Sequence, residues 1–223
     1  MAIAFRRPQD TIDSAAMDHL TKPRGAYGGS SDRKDRKSVR LSAAQRANVI
    51  KGAVYAVRTG LSLNRFITIN WAAAKVPDGR LATSLLMKRT GDWLRLRGVP
   101  LAYIRVREGT GGDHVHILLH VPSELVPAYG REQRRWLRVL GVGTVKGSVK
   151  TIPVGRSYSD YLSVPAAYAE NLRTVVKYLM KPGRETGPVR GLRASVSESL
   201  NHHARRGFVS GRHRRMPVAI AER

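Results

Sequence analysis

The sequence predicts an α+β fold, and three observations carry that expectation. β-rich and helix-periodic segments alternate in the order β-α-β-β-α-β-α between residues 66 and 182. Two strand-like runs, "PLAYIRVRE" and "HVHILLHV", are joined by the turn-forming "GTGGD". Each strand of this central hairpin is flanked by a βα or αβ unit, which is the ferredoxin-like, split-βαβ arrangement. The expectation is therefore an antiparallel sheet with helices mainly on one face and an open face left for a ligand.

The elements follow in order. Ser42 and Gln45 stand at capping-box spacing behind Leu41 and open a helix. Val49, Ile50, Ala53, Val54 and Val57 form its apolar face, and Gly60 ends it. "FITINW" is the first strand. "GRLATSLLMKRTGDWLRLRG" reads as a helix, with Leu81, Leu85, Trp93 and Leu96 among its apolar positions. In "PLAYIRVRE", Ala102, Ile104 and Val106 share one face and Tyr103, Arg105 and Arg107 the other. "REQRRWLRVLG" is a short basic helix and "GSVKTIPV" a strand. "PAAYAENLRTVVKYLMKPG" is a helix stopped by Pro182 and Gly183, with Leu172, Val176 and Leu179 as its core stripe. Residues 1–40 read as a basic flexible segment, 41–182 as the folded domain and 183–223 as a basic tail.

The 223 residues suit one domain with a real core. Forty Lys and Arg against sixteen Asp and Glu leave a formal net charge of +24, which points to a polyanionic partner, nucleic acid first. No apolar run approaches the ~18 residues of a membrane span, so a membrane is not expected as a partner. The absence of cysteine excludes disulfides, thiol catalysis and Cys-based zinc sites. The start, "MAIAFRRPQD", lacks an apolar signal core, and a cytoplasmic setting is the simplest expectation.

The chemistry concentrates in "DHVHILLHV". On a strand, His114 and His116 project from one face, with His120 further along it, and two such imidazoles can grip one divalent cation. Glu108, across the turn, completes a two-His, one-carboxylate set if the hairpin register brings its face to theirs; Asp113 would point away. The alternative is a pair of surface histidines. Tyr178 sits beside the core stripe of the last helix, with Lys181 one turn on. It is either an amphipathic rim residue or a nucleophile. A tyrosine with a pKa of ~10 needs a polarised electrophile or nearby positive charge to attack. A metal-bound phosphodiester would supply the first, and Lys181 could supply the second.

"FITINW", "HVHILLHV" and "YLMK" together resemble the three motifs of the HUH endonuclease superfamily, in the order used by single-tyrosine rolling-circle replication initiators. The likeness spans about residues 66–182. It implies a sequence-specific single-strand DNA endonuclease and strand transferase. Tyr178 would form a 5′-phosphotyrosine link and leave a free 3′-OH. His114, His116 and Glu108 would hold Mg or Mn, and Lys181 would orient or charge-balance the phosphate. Partners would be single-stranded origin DNA, a host helicase and a DNA polymerase in a prokaryotic cell. No second tyrosine stands one turn earlier, where Thr174 is. Arg105, Arg107, Arg131, Arg134, Arg135, Arg138 and Lys177 are the candidate DNA contacts. The competing readings are a non-catalytic nucleic-acid-binding protein and a single-tyrosine transposase of the same superfamily.

Overall fold

The computed structural model describes residues 37–110, 112–142, 145–180 and 187–209. Strand β1 (Lys37–Ser38) precedes helix α1 (Ala43–Arg58), strand β2 (Arg65–Asn70) and helix α2 (Gly79–Arg95). The hairpin β3 (Tyr103–Glu108) and β4 (His114–Leu119) leads to α3 (Val126–Val139) and β5 (Val149–Pro153). The short α4 (Asp160–Ser163), α5 (Pro165–Met180), β6 (Val189–Arg190), β7 (Ala194–Val196) and α6 (His202–Val209) complete the described chain.

The main sheet has five strands in the order β5-β2-β4-β3-β7, and every neighbouring pair is antiparallel. Its first four strands interlock two βαβ units, β2-α2-β3 around β4 and β4-α3-β5 around β2. That is the expected split-βαβ order. The local signals behave as their chemistry dictates. Ser42 Oγ accepts from the Gln45 amide while the Gln45 side chain accepts from the Ser42 amide, closing the capping box at the start of α1.

Helices cover both faces of the sheet, not mainly one. Ile67, Ile69, Val115, Ile117 and Leu119 meet α2 and α3 in one core. Ile104, Val106 and Leu118 meet α1 and α5 in a second, with Phe66 packed against it. The strands demand this, because their alternate positions are apolar on both sides and a bare second face would leave them in water. The α1 stripe is correspondingly split. Val49 and Ala53 are buried with Tyr55 and Ala56, whereas Ile50, Val54 and Val57 are exposed. In α2 the buried positions are Ala82, Leu86, Met87 and Leu94, while Leu81, Leu85 and Leu96 face outward.

The domain boundary set at 182 falls too early. β7 is the fifth strand of the sheet, pairing with β3, and β6 pairs with β1. Leu200 is buried in the α1–α5 core. Arg193 is 1% exposed and donates to Ser38, Gly187 and the Arg107 carbonyl, tying both ends of the described chain to β3. These pieces were hidden because strands of two and three residues carry no readable period. Gly109, just after β3, lies where a Cβ would collide with the backbone of Pro188, so the turn must be glycine for the returning chain to pack on it. Of the segment 1–40 read as flexible, Lys37 and Ser38 form β1, which corrects that end; residues 1–36 and those beyond 209 lie outside the described residues.

Candidate functional site

The hairpin register settles which side chains share a face. Val106 stands opposite His116, and Glu108 opposite His114. On the other side of β4, Thr68 pairs with His116 and Asn70 with His114. Directly opposed residues project the same way, so His114, His116 and Glu108 belong to one face, with Thr68 and Asn70 beside them. It is the face covered by α1 and α5. Asp113 points away from it, pairing with Arg107 on the opposite side.

His116 is the centre of the arrangement and is only 4% exposed. Its Nε2 lies 3.5 Å from Glu108 Oε1, and its Nδ1 is 3.0 Å from Thr68 Oγ1. A hydroxyl can donate or accept, so Thr68 supports either neutral tautomer of this ring. When Nδ1 donates to Thr68, Nε2 presents a lone pair beside the carboxylate. The His114 Nδ1 lies 3.2 Å from the Gly112 carbonyl. A carbonyl only accepts, so this nitrogen carries the proton and Nε2 is left as a base or ligand. Histidine ligands to metals are held in the same way, by an N–H donated to a carbonyl, carboxylate or water.

Tyr178 reaches this group from α5. Its ring packs edge-on against His116, with centroids 5.5 Å apart, and against Phe66 at 6.1 Å. Phe66 and His116 are themselves stacked at 5.7 Å. Leu172, Val176 and Leu179 are buried beneath Tyr178, as their spacing predicts, and Tyr178 stays 48% exposed. Helix geometry explains the meeting of residues so distant in sequence. Tyr168 is anchored to the Leu63 carbonyl and its ring meets Tyr161, which meets His120. From there α5 advances ten residues, about 15 Å at the helical rise. β4 covers about 14 Å between His120 and His116 at the strand rise. The helix therefore delivers Tyr178 to His116.

Among the described residues, no three His, Asp or Glu side chains are gathered into a ready-made metal site. The donor set nevertheless has the right chemistry for a hard or borderline divalent cation: one carboxylate and two imidazole nitrogens, with His114 held to a single tautomer. Glu108 is 7% exposed, and its charge favours the cationic form of the buried Arg193.

His120 stands apart from this group. It is buried, its Nδ1 donates to the Ser62 carbonyl at 2.9 Å, and burial lowers its pKa. It is a structural residue of the sheet's other end.

The basic candidates divide. Arg107 is buried in the fold, donating to both Asp113 oxygens at 3.0 Å and to the Arg190 carbonyl. Its expected role as a DNA contact is corrected, because its charge is already balanced inside the fold by the Asp113 carboxylate. Arg105 is half-buried and donates to Ser195 Oγ at 2.6 Å. Arg131, Arg134, Arg135 and Arg138 are exposed along α3, on the opposite side of the sheet from Tyr178; Arg135 lies 3.5 Å from Glu132. Lys177 is exposed next to Tyr178. Lys181 lies outside the described residues.

Sequence reasoning missed Thr68 and Phe66 as parts of the site, although both lie on the His116 face of "FITINW" by simple alternation. It also missed Arg65, whose signal was a charge at an inward-facing strand position. No protein-family model, curated protein or solved structure matches the chain.

Proposed function

We propose that the protein is a metal-dependent nicking and joining enzyme of single-stranded DNA, with Tyr178 as nucleophile, acting to initiate rolling-circle replication. The observation that carries this reading is the contact of Tyr178 with His116 on the face shared by His114 and Glu108. The resemblance of three motifs to HUH replication initiators had joined these residues by order alone. Their adjacency in space supports the same grouping independently.

His114, His116 and Glu108 would hold Mg or Mn, which when bound supplies Lewis-acid polarisation of the scissile phosphate. The Tyr178 oxygen attacks phosphorus, forming the phosphotyrosine bond as the bond to the 3′-oxygen breaks. The tyrosine proton is lost and the departing 3′-oxygen gains one, so the products are a 5′-phosphotyrosine and a free 3′-OH. Thr68 fixes the His116 ring. Lys177 offers positive charge at the mouth of the site, and Lys181 retains the phosphate-balancing role that the resemblance gives it. The exposed Tyr178 suits a nucleophile that must reach a polymer.

A second reading is a non-catalytic nucleic-acid-binding protein, which the net charge of +24 fits equally. The test is a denaturing gel with a pool of randomised single strands. The nickase reading expects a covalent protein–DNA band with Mn that EDTA abolishes, and that His116→Ala and Glu108→Gln reduce by at least about a hundredfold. DNA binding without any covalent band under these conditions would favour the second reading.

A further inference from the structure

Arg65 opens β2 on the α2–α3 side of the sheet and is 6% exposed. Its Nε and Nη2 donate to Gln133 Oε1 at 3.0 and 2.8 Å. Its guanidinium lies between the rings of Tyr129 and Tyr158, at 5.2 and 5.0 Å from their centroids. These partners are all neutral in charge. Burial is the main force against its charged form, and Arg134, another cation, adds to it. Among the described residues no carboxylate pairs with Arg65. A guanidinium does not shed its proton near neutral pH, and buried charges are ordinarily balanced by an opposite one.

The space beside Arg65 is informative. A Cβ at Gly130 of α3 would lie 3.8 Å from Arg65 Nη2 and 3.8 Å from Arg134 Nη1. Gly130 is buried, and its missing side chain leaves room for about one methyl group between nitrogens of the two guanidinium groups. Arg131 and Arg138 lie exposed on the same helix, three residues before and four after Arg134. Cations spaced along one helix match a repeating anion better than a single one.

We infer that Arg65 and Arg134, on either side of Gly130, seat a phosphate of a nucleic-acid backbone. This is a second contact, on the sheet face opposite Tyr178. It rests on nucleic acid being the ligand, and not on the nicking chemistry. Gln133 holds the Nε–Nη2 edge of Arg65, and the two tyrosines flank it, so its remaining N–H groups and the Arg134 guanidinium are the donors offered to phosphate oxygens. Nucleic acid held at Tyr178 then has a second grip on the α3 layer.

Gly130→Ala and Arg134→Ala test the inference in the full chain. A labelled single strand and a labelled duplex are titrated by fluorescence anisotropy at several salt concentrations, with EDTA present so that no cleavage intervenes. Each variant is expected to weaken binding to at least one of the two by about fivefold, and Arg134→Ala to flatten the log–log salt dependence by about one ion. Gly130→Ala fills the gap with only ordinary contacts and should keep or raise Tm, since alanine is the better helix former. Wild-type affinity and salt dependence in both variants, for both DNAs, would overturn the inference and leave the buried charge to an acidic protein partner. Absence of DNA binding by the wild-type chain would overturn it too. Absence of a covalent band from the wild-type chain with Mn, with these binding defects still present, would sink the nicking reading and support this one.

Discussion

His116 shows how much a single side chain depends on its neighbours: Thr68 on one ring nitrogen, Glu108 on the other, Phe66 under the ring and Tyr178 at its edge. Thr68→Val keeps the shape and removes the hydroxyl. It is expected to lower covalent-adduct formation with little change in DNA affinity, since it loosens the ring without touching the ligand. Equal losses in both measurements would assign Thr68 a binding role instead. His120 makes the contrasting case. Burial holds its pKa below the ordinary 6.5, so the unfolded chain binds more protons than the folded one as pH falls past that value. Its stabilising contribution is complete above pH 6.5 and is lost progressively towards its folded value. Thermal melts should show Tm falling across that interval, and His120→Asn, which can still donate to Ser62, should flatten the fall. An unchanged slope would mean that other groups govern it. The pairing of His114 with His116 was legible from alternation alone, whereas the burial of Arg193 was not: an arginine in a basic loop gives no sign that it is buried.

At the level of elements, the strongest local signals were those with a complete physical rule behind them. The Ser42–Gln45 capping box and the Leu172–Val176–Leu179 stripe both formed as read. Ser42→Ala is expected to cost about 1 kcal/mol, and Leu172→Ala, in the core under Tyr178, about 2–5 kcal/mol by chemical denaturation. α3 began earlier than "REQRRWLRVLG" suggested, because Pro127 sits at the helix start, where its missing N–H costs nothing. The segment read as a tail is the clearest failure. β6, β7 and Leu200 had no period to betray them, yet β7 closes the β3 edge of the sheet. Deleting residues 187–223 should expose that edge and yield a destabilised, aggregation-prone chain by melting and light scattering. A truncated protein that melted like the full chain would show β7 to be dispensable.

At the scale of the molecule, the α+β class and the order of β5, β2, β4 and β3 followed from the alternation of periods two and 3.6. The filling of the second face did not, because it depends on where α1 and α5 dock after the sheet has formed. That docking is what makes the site: α5 runs along β4 and lays Tyr178 on the histidine face, while α3 turns its arginines outward on the other. No helix among the described residues is long and apolar enough to cross a membrane. The charge of +24 is one that the proposed nucleic-acid ligand would neutralise. The central claim is that Tyr178 becomes joined to DNA. It is tested most directly by incubating the protein with Mn and randomised single strands, digesting the covalent product with protease and nuclease, and locating the nucleotide-bearing peptide by mass spectrometry. The account predicts the added mass on Tyr178, with no adduct in Tyr178→Phe. An adduct on another residue, or one that survives that substitution, would contradict it.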